Sequence, residues 1–133
     1  MLKSVSLRDY ILPNPVKVKP DDNVQDAMRV IIDNKVSGVC VVDIDGNLVG
    51  ILSELDCLRA VLGATYNQTG FGLVRDHMAS DNLVVAHPDE DIVNVAQDML
   101  VKNKRRRPVV ENGRLIGQIT CRQLLTAVQR FSS

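Results

Sequence analysis

The sequence predicts an α/β (α+β) fold made of two copies of one β-α-β-β-α unit. Three observations predict it. Pro20-Asp21 returns as Pro88-Asp89, and an apolar stripe follows each: Val24, Ala27, Met28, Ile31 and Ile32, then Ile92, Val95, Ala96, Met99 and Leu100. Both stripes read i, i+3, i+4, i+7, i+8, the pattern of a half-buried helix. The apolar run Val39–Asp43 is answered by Arg107–Glu111. Gly46, Leu48, Gly50, Leu58 and Ala60 are answered by Gly113, Leu115, Gly117, Leu125 and Ala127. The spacing between copies shortens by one residue at Glu111-Asn-Gly-Arg114, a tight Asn-Gly turn, where the first copy has the looser Asp43-Ile-Asp-Gly-Asn47. The repeats are drawn as 1–66, with a short lead-in turn, and 67–133, together one module.

The elements follow in order. Val5 to Leu12 reads as one or two helical turns, closed by Pro13 and Pro15. Val16-Lys17-Val18 alternates as a short strand ended by Pro20. Asp22-Asn23 can cap a helix from Val24 to about Asn34. Strands over Val39–Asp43 and Leu48–Leu52 form a hairpin through Gly46. A helix follows Ser53 and reaches about Ala64, and Gly63, Asn67, Gly70 and Gly72 mark a loop. Its aromatics, Tyr66 and Phe71, are expected to anchor it to the core; closing over a cleft is the other option. Leu73–Met78 is a turn matching Leu7–Tyr10. Strand Leu83–Ala86, helix Ile92 to about Lys102, hairpin Arg107–Thr120 and helix Arg122–Phe131 complete the second copy.

Composition narrows the function classes. The chain has 133 residues, 45% apolar but 3% aromatic, so the core is Val, Leu, Ile, Met and Ala. Half a chain buries too little surface alone, and the halves are expected to pack on each other. The 16 basic and 16 acidic residues cancel, which argues against nucleic-acid or membrane-surface binding by bulk charge. Residues 1–68 carry 7 Lys/Arg against 9 Asp/Glu, and residues 69–133 carry 9 against 7. Three cysteines, Cys40, Cys57 and Cys121, without a C-x-x-C, fit a reducing cytoplasm and buried apolar roles. His77 and His87 have no cysteine nearby, and no metal site is expected. The N-terminus lacks the apolar region of a signal peptide, and no run has the length of a membrane span.

Two stretches carry chemistry. In Gly50-Ile-Leu-Ser-Glu-Leu-Asp56 a strand hands over to a helix, with Ser53 as N-cap and Asp56 in the first turn. Free N–H groups and a hydroxyl there can face an anion, and the carboxylate can take a sugar diol. Side by side these suggest a nucleotide. The same residues also make an ordinary N-cap with a favourable first-turn acid. The second stretch, Lys102–Arg107, holds five of the nine positive charges of residues 69–133. A helix C-terminus favours cations, yet three consecutive arginines before a buried strand exceed that need. Arg107 enters the strand, so Arg106 points to the opposite side.

The motifs, twice and in order, resemble the tandem cystathionine-β-synthase-type (CBS) domain pair, or Bateman module. They are Leu7-Arg-Asp and Val74-Arg-Asp-His-Met, the Pro-Asp openings, Val41-Val-Asp and Arg107-Pro-Val-Val, and the hairpins ending Leu-Val-Gly-Ile-Leu-Ser and Leu-Ile-Gly-Gln-Ile-Thr. The resemblance implies two repeats about a pseudo-twofold axis with two clefts that often take adenosine compounds. It implies Asp56, in the pattern Gly50…Ser53…Asp56, as the ribose acid. The second copy, Gly117…Thr120…Gln123, has Gln in that place, so the clefts are expected to be unequal. Cys40 stands where the family favours Pro. The resemblance further implies phosphate contacts from Arg105, Arg106 and Arg122, beside Thr120, and adenine walls at Val16, Gly38 and Val39. It implies a homodimer, with a seam including Leu58, Val61, Leu62, Leu125 and Val128.

No nucleophile elbow, phosphate-binding Gly-x-x-x-x-Gly-Lys loop or His/acid pair appears. The chain is read as a non-enzymatic regulatory sensor for AMP, ADP or ATP acting through a partner protein, with no cofactor required. The other reading is a ligand-free dimerisation or protein-interaction module.

Overall fold

The computed structural model describes residues 6–131, apart from the side chains of residues 127, 128, 130 and 131. Its elements are β1 (Lys17–Val18), α1 (Val24–Asn34), β2 (Gly38–Val42), β3 (Leu48–Ser53), α2 (Glu54–Asn67), α3 (Ile92–Val101), β4 (Arg106–Glu111), β5 (Arg114–Thr120) and α4 (Cys121–Phe131). Short 3-10 turns occupy Leu7–Tyr10 and Val74–Asp76. The class is the α/β (α+β) class the repeats predict. The chain forms two compact units: Val16–Leu83, and the segment up to Pro15 together with everything from Val84. They are called here the Asp56 unit and the Arg106 unit.

In the Asp56 unit the Asn23 side chain accepts from the Gln25 amide and starts α1, which buries Val24, Ala27 and Ile31. The sheet runs β1-β2-β3, with β1 parallel and β3 antiparallel to β2. Helix α2 continues three residues past the expected Ala64 and stops at Gln68, which takes the left-handed φ of 54°. Gly63 lies inside it, where an added Cβ would meet nothing within 4 Å, and one helical glycine costs only about 1 kcal/mol against alanine. Phe71 packs on the core and its carbonyl lies 2.6 Å from His77 Nε2, while Tyr66 is exposed. Of the two aromatics, Phe71 is therefore the one that anchors the loop.

In the Arg106 unit Asp91 caps α3 by accepting from the Val93 amide. Strands β4 and β5 form an antiparallel hairpin whose Asn112 and Gly113 both have positive φ, 53° and 81°, as a two-residue turn requires. Each hairpin carries a bulge at the same place, Val41/Val42 and Val109/Val110. The expected strand Leu83–Ala86 is reduced to a single parallel bridge, Ala86 to Val109. The reason is one amide. In the Asp56 unit Cys40 N–H donates to the Val16 carbonyl at 3.3 Å. The matching residue here is Pro108, which has no N–H to donate.

The compact units do not follow the sequence halves, because each lead-in turn crosses to the other repeat. Leu7–Tyr10, drawn with residues 1–66 in the sequence, packs in the Arg106 unit, and Val74–Asp76 packs in the Asp56 unit. The docking is the same twice. Leu7 N–H reaches Glu90 O at 2.9 Å and Val74 N–H reaches Asp22 O at 2.9 Å; Arg8 N–H reaches Pro88 O at 2.8 Å and Arg75 N–H reaches Pro20 O at 3.0 Å. The Arg8 guanidinium pairs with Asp89 and Glu111, and that of Arg75 with Asp21. The recurring Arg-Asp and Pro-Asp motifs thus meet as a clamp. Leu12 then bridges to Gln118, and Ala79 to Ile51. This close passage explains both hairpin glycines. A Cβ on Gly50 would stand 2.6 Å from Met78 Sδ and 2.9 Å from Ala79 O, and one on Gly117 would collide with Ile11 and stand 2.8 Å from Leu12 O.

Candidate functional site

In the Asp56 unit the sheet edge where β1 and β2 begin and β3 ends gathers five of the expected residues. Gly38 is the cross-strand partner of Ser53. Val16 precedes β1 and is half-buried. Val39 points into the core at 3% exposure, so it offers only backbone. Ser53 caps α2: its Oγ accepts from Asp56 N–H at 3.1 Å, and Asp56 Oδ2 accepts from Ser53 N–H at 2.9 Å, a reciprocal capping box. Asp56 Oδ1 accepts from Arg59 Nη1 at 2.9 Å, and the Asp56 side chain is only 16% exposed. The helix-capping role is therefore real, and the carboxylate keeps lone pairs beyond it.

The Arg106 unit repeats this frame with different chemistry. Arg106 is the cross-strand partner of Thr120, the register position of Gly38 and Ser53. Cys121 N–H reaches Arg105 O at 2.9 Å, as Glu54 N–H reaches Ser37 O at 2.9 Å. Thr120 Oγ1 accepts from Gln123 N–H at 3.1 Å, but Gln123 Oε1 is buried with no partner among the described residues. Half of the capping box is kept. Arg106 is half-buried, while Arg105 and Arg122 are exposed. The structure thus gathers Val16, Gly38, Val39, Ser53 and Asp56 in one unit and Arg105, Arg106, Thr120 and Arg122 in the other.

Arg107 is 4% exposed, so the alternation expected of Arg106 and Arg107 is present. Its Nη2 lies 2.7 Å from Asp98 Oδ2, off the line of its N–H bonds, and Nε has no partner among the described residues. The contact is an ion pair rather than an aligned hydrogen bond. Lys102 Nζ donates to the same oxygen at 2.9 Å. Lys102, then Arg107, hold the Asp98 carboxyl below the usual aspartate range. Reading the sequence missed this pair. The signal was available, because the matching residues of the first copy are Val30 and Val39, so two apolar positions become opposite charges together.

Elsewhere, His87, Asp89 and Glu111 bring ligand atoms within 4.8 Å of one another. Arg8 bridges both carboxylates, so the cluster is already compensated. Burial, then Asp56 and Glu54, push the Cys57 thiol up, which makes it a poor nucleophile. No described helix is long and apolar enough to cross a membrane.

Comparison with known proteins decides the family. The family model of the CBS domain matches twice, at residues 7–63 and 74–130. The chain belongs to the CBS-domain family as a tandem pair. The CBS pair is similar to a crystal structure of CBSX2 in complex with AMP, a protein of Arabidopsis thaliana, at 29% identity and a TM-score of 0.84, over 98% of this chain and 100% of that one. It is 29% identical over 114 residues to the uncharacterized protein MJ1225 of Methanocaldococcus jannaschii, and 34% identical over 114 residues to inosine-5'-monophosphate dehydrogenase of Aquifex aeolicus. These matches cover 86% and 84% of the CBS pair but span only 39% and 22% of those two proteins.

Proposed function

We propose that this CBS pair is a regulatory module that binds an adenosine nucleotide such as AMP, ADP or ATP. Asp56 takes the ribose diol, the backbone at Val16, Gly38 and Val39 lines the base, and Ser53 closes the helix end beside them. Arg105, Arg106 and Arg122, with Thr120, take phosphate. The observation that carries this reading is the sheet edge of the Asp56 unit, where a carboxylate with spare lone pairs stands beside the Gly38–Ser53 pair. The likeness to a CBS-pair structure holding AMP supports it. The regulatory partner belongs to this proposal too, as does a cytoplasmic setting.

A thermal-shift panel of AMP, ADP, ATP, adenosine, GMP and S-adenosylmethionine tests the reading. A ligand at one hundred times its dissociation constant stabilises by about 2.7 kcal/mol. Asp56→Ala is expected to lose hydrogen bonds to a charged group, about 1.5–3 kcal/mol each. Because Asp56 also caps α2, Asp56→Asn is the companion that keeps an acceptor for the Ser53 amide. Arg106→Ala is expected to weaken ATP more than AMP and to spare adenosine. Unchanged nucleotide affinity in Asp56→Asn would sink the assignment.

One observation favours a second role, self-association. Helix α2 exposes Leu55, Leu58, Leu62 and Tyr66 along one stripe, and α4 exposes Leu125. Val61 is half-buried, and the side chain of residue 128 lies outside those described. Light scattering at high micromolar concentration tests the homodimer; a stable monomer counts against it.

A further inference from the structure

We propose that Arg59 is a latch on Asp56 that ribose hydroxyls must displace, and so a residue that sets the module's preference for an intact sugar diol. The inference rests on the reading of Asp56 as the ribose acid. Ser53 N–H holds Asp56 Oδ2 at 2.9 Å, and that bond belongs to the helix cap. Arg59 Nη1 holds Oδ1 at 2.9 Å, on a carboxylate only 16% exposed. A diol entering this acid therefore competes with the guanidinium for the little carboxylate surface that remains. The two competitors differ in how firmly they are held. The Arg59 side chain is 69% exposed, and Asp56 is its charged partner among the described residues. A pair whose cation is this exposed is weak and screened by salt, so the latch opens for a ligand with two donors to put in its place.

Among its described residues the Arg106 unit has no such device. The residue matching Arg59 is Thr126, whose hydroxyl donates to the Arg122 carbonyl at 2.9 Å. Latching is thus a property of the half that carries the acid.

Calorimetric titration of the full chain with adenosine and with 2′,3′-dideoxyadenosine tests this, using the parent, Arg59→Gln, Arg59→Lys and Asp56→Asn. Arg59→Gln is expected to bind adenosine about two- to fivefold more tightly, the range an exposed ion pair supports, with dideoxyadenosine unchanged. Arg59→Lys is expected to stay near the parent. Added salt tightens adenosine binding to the parent and leaves Arg59→Gln level. Equal or weaker adenosine binding in Arg59→Gln, while Asp56→Asn still loses affinity, overturns the latch alone. Equal adenosine binding in parent and Asp56→Asn, or none in any variant, overturns the ribose assignment and the latch with it.

Discussion

The Asp56 unit and the Arg106 unit share a frame yet exchange charge at four matched places. Gly38 and Arg106 take the same register position against Ser53 and Thr120. Val39, 3% exposed, is matched by Arg107, 4% exposed. Val30, packed on the first core, is matched by Asp98, the ion partner of Arg107. Asp56 is matched by Gln123, whose Oε1 finds no partner among the described residues. One unit carries the acid and an apolar backing; the other carries cations, backed by an acid of its own. The matched hydrogen bonds of the lead-in turns and hairpin ends agree between units to within a few tenths of an ångström, so these do not require the exchanged residues. Duplication supplied one scaffold, and the copies were then free to hold opposite chemistry.

The largest way to break the comparison is to move a charge without its partner. Val39→Arg places a guanidinium in the core beside Val30, and an uncompensated buried charge costs about 3–5 kcal/mol. Urea unfolding is expected to show that loss, and Val30→Asp added to it to recover part. In the other direction Asp98→Ala strands Arg107 and costs about 3 kcal/mol, at the low end because Asp98 itself is 39% exposed. Replacing both Asp98 and Arg107 by Val is expected to restore or exceed the parent's stability.

The glycines sharpen what the units share. Gly50→Ala and Gly117→Ala push a methyl into a crossing lead-in segment and are each expected to cost about 1–3 kcal/mol. Similar losses in denaturant titrations support the equivalence; a cost at only one of them breaks it.

The smallest expected effect concerns pH. The Asn47 backbone amide, with further hydrogen bonds from the Asn47 side chain and Asp45, holds Asp43 below the ordinary aspartate value of 3.8. The unfolded chain therefore takes up this proton first. The stabilisation is present above pH 3.8 and is lost as pH falls through that value toward the lower folded pKa. Asp43→Asn is expected to flatten this part of the acid-unfolding curve, measured as the urea midpoint against pH.

Local structure was legible in the sequence because local rules set it. Helix α1 begins and ends where the stripe and the Asn23 cap place it. The Asn112-Gly113 turn has the positive φ angles its residues favour. The end of α2 lies beyond the expected one because Gly63 looks like a stop, while a single helical glycine costs only about 1 kcal/mol and is tolerated. The shortened strand at Ala86 follows from Pro108, whose missing N–H matters only once its parallel neighbour is known. Cys40, standing where the family favours proline, proved informative for the same reason. At the site, the Ser53–Asp56 cap was readable from spacing. The Asp98–Arg107 pair could have been found by comparing the copies, whereas the hold of Arg59 on Asp56 needed the fold, since it depends on which rotamer the surroundings leave open.

The crossed lead-in turns also order events in time. The Asp56 unit is one continuous stretch, and its Arg75–Asp21 clamp joins residues 54 apart. The Arg106 unit is assembled from both parts of the chain, and its Arg8–Glu111 clamp spans 103 residues. Loop closure costs more entropy for the longer span, and distant contacts form later. During synthesis the Asp56 unit can complete itself as soon as its residues emerge. Leu7 and Tyr10, both destined for burial, must wait uncovered until β5 has been made.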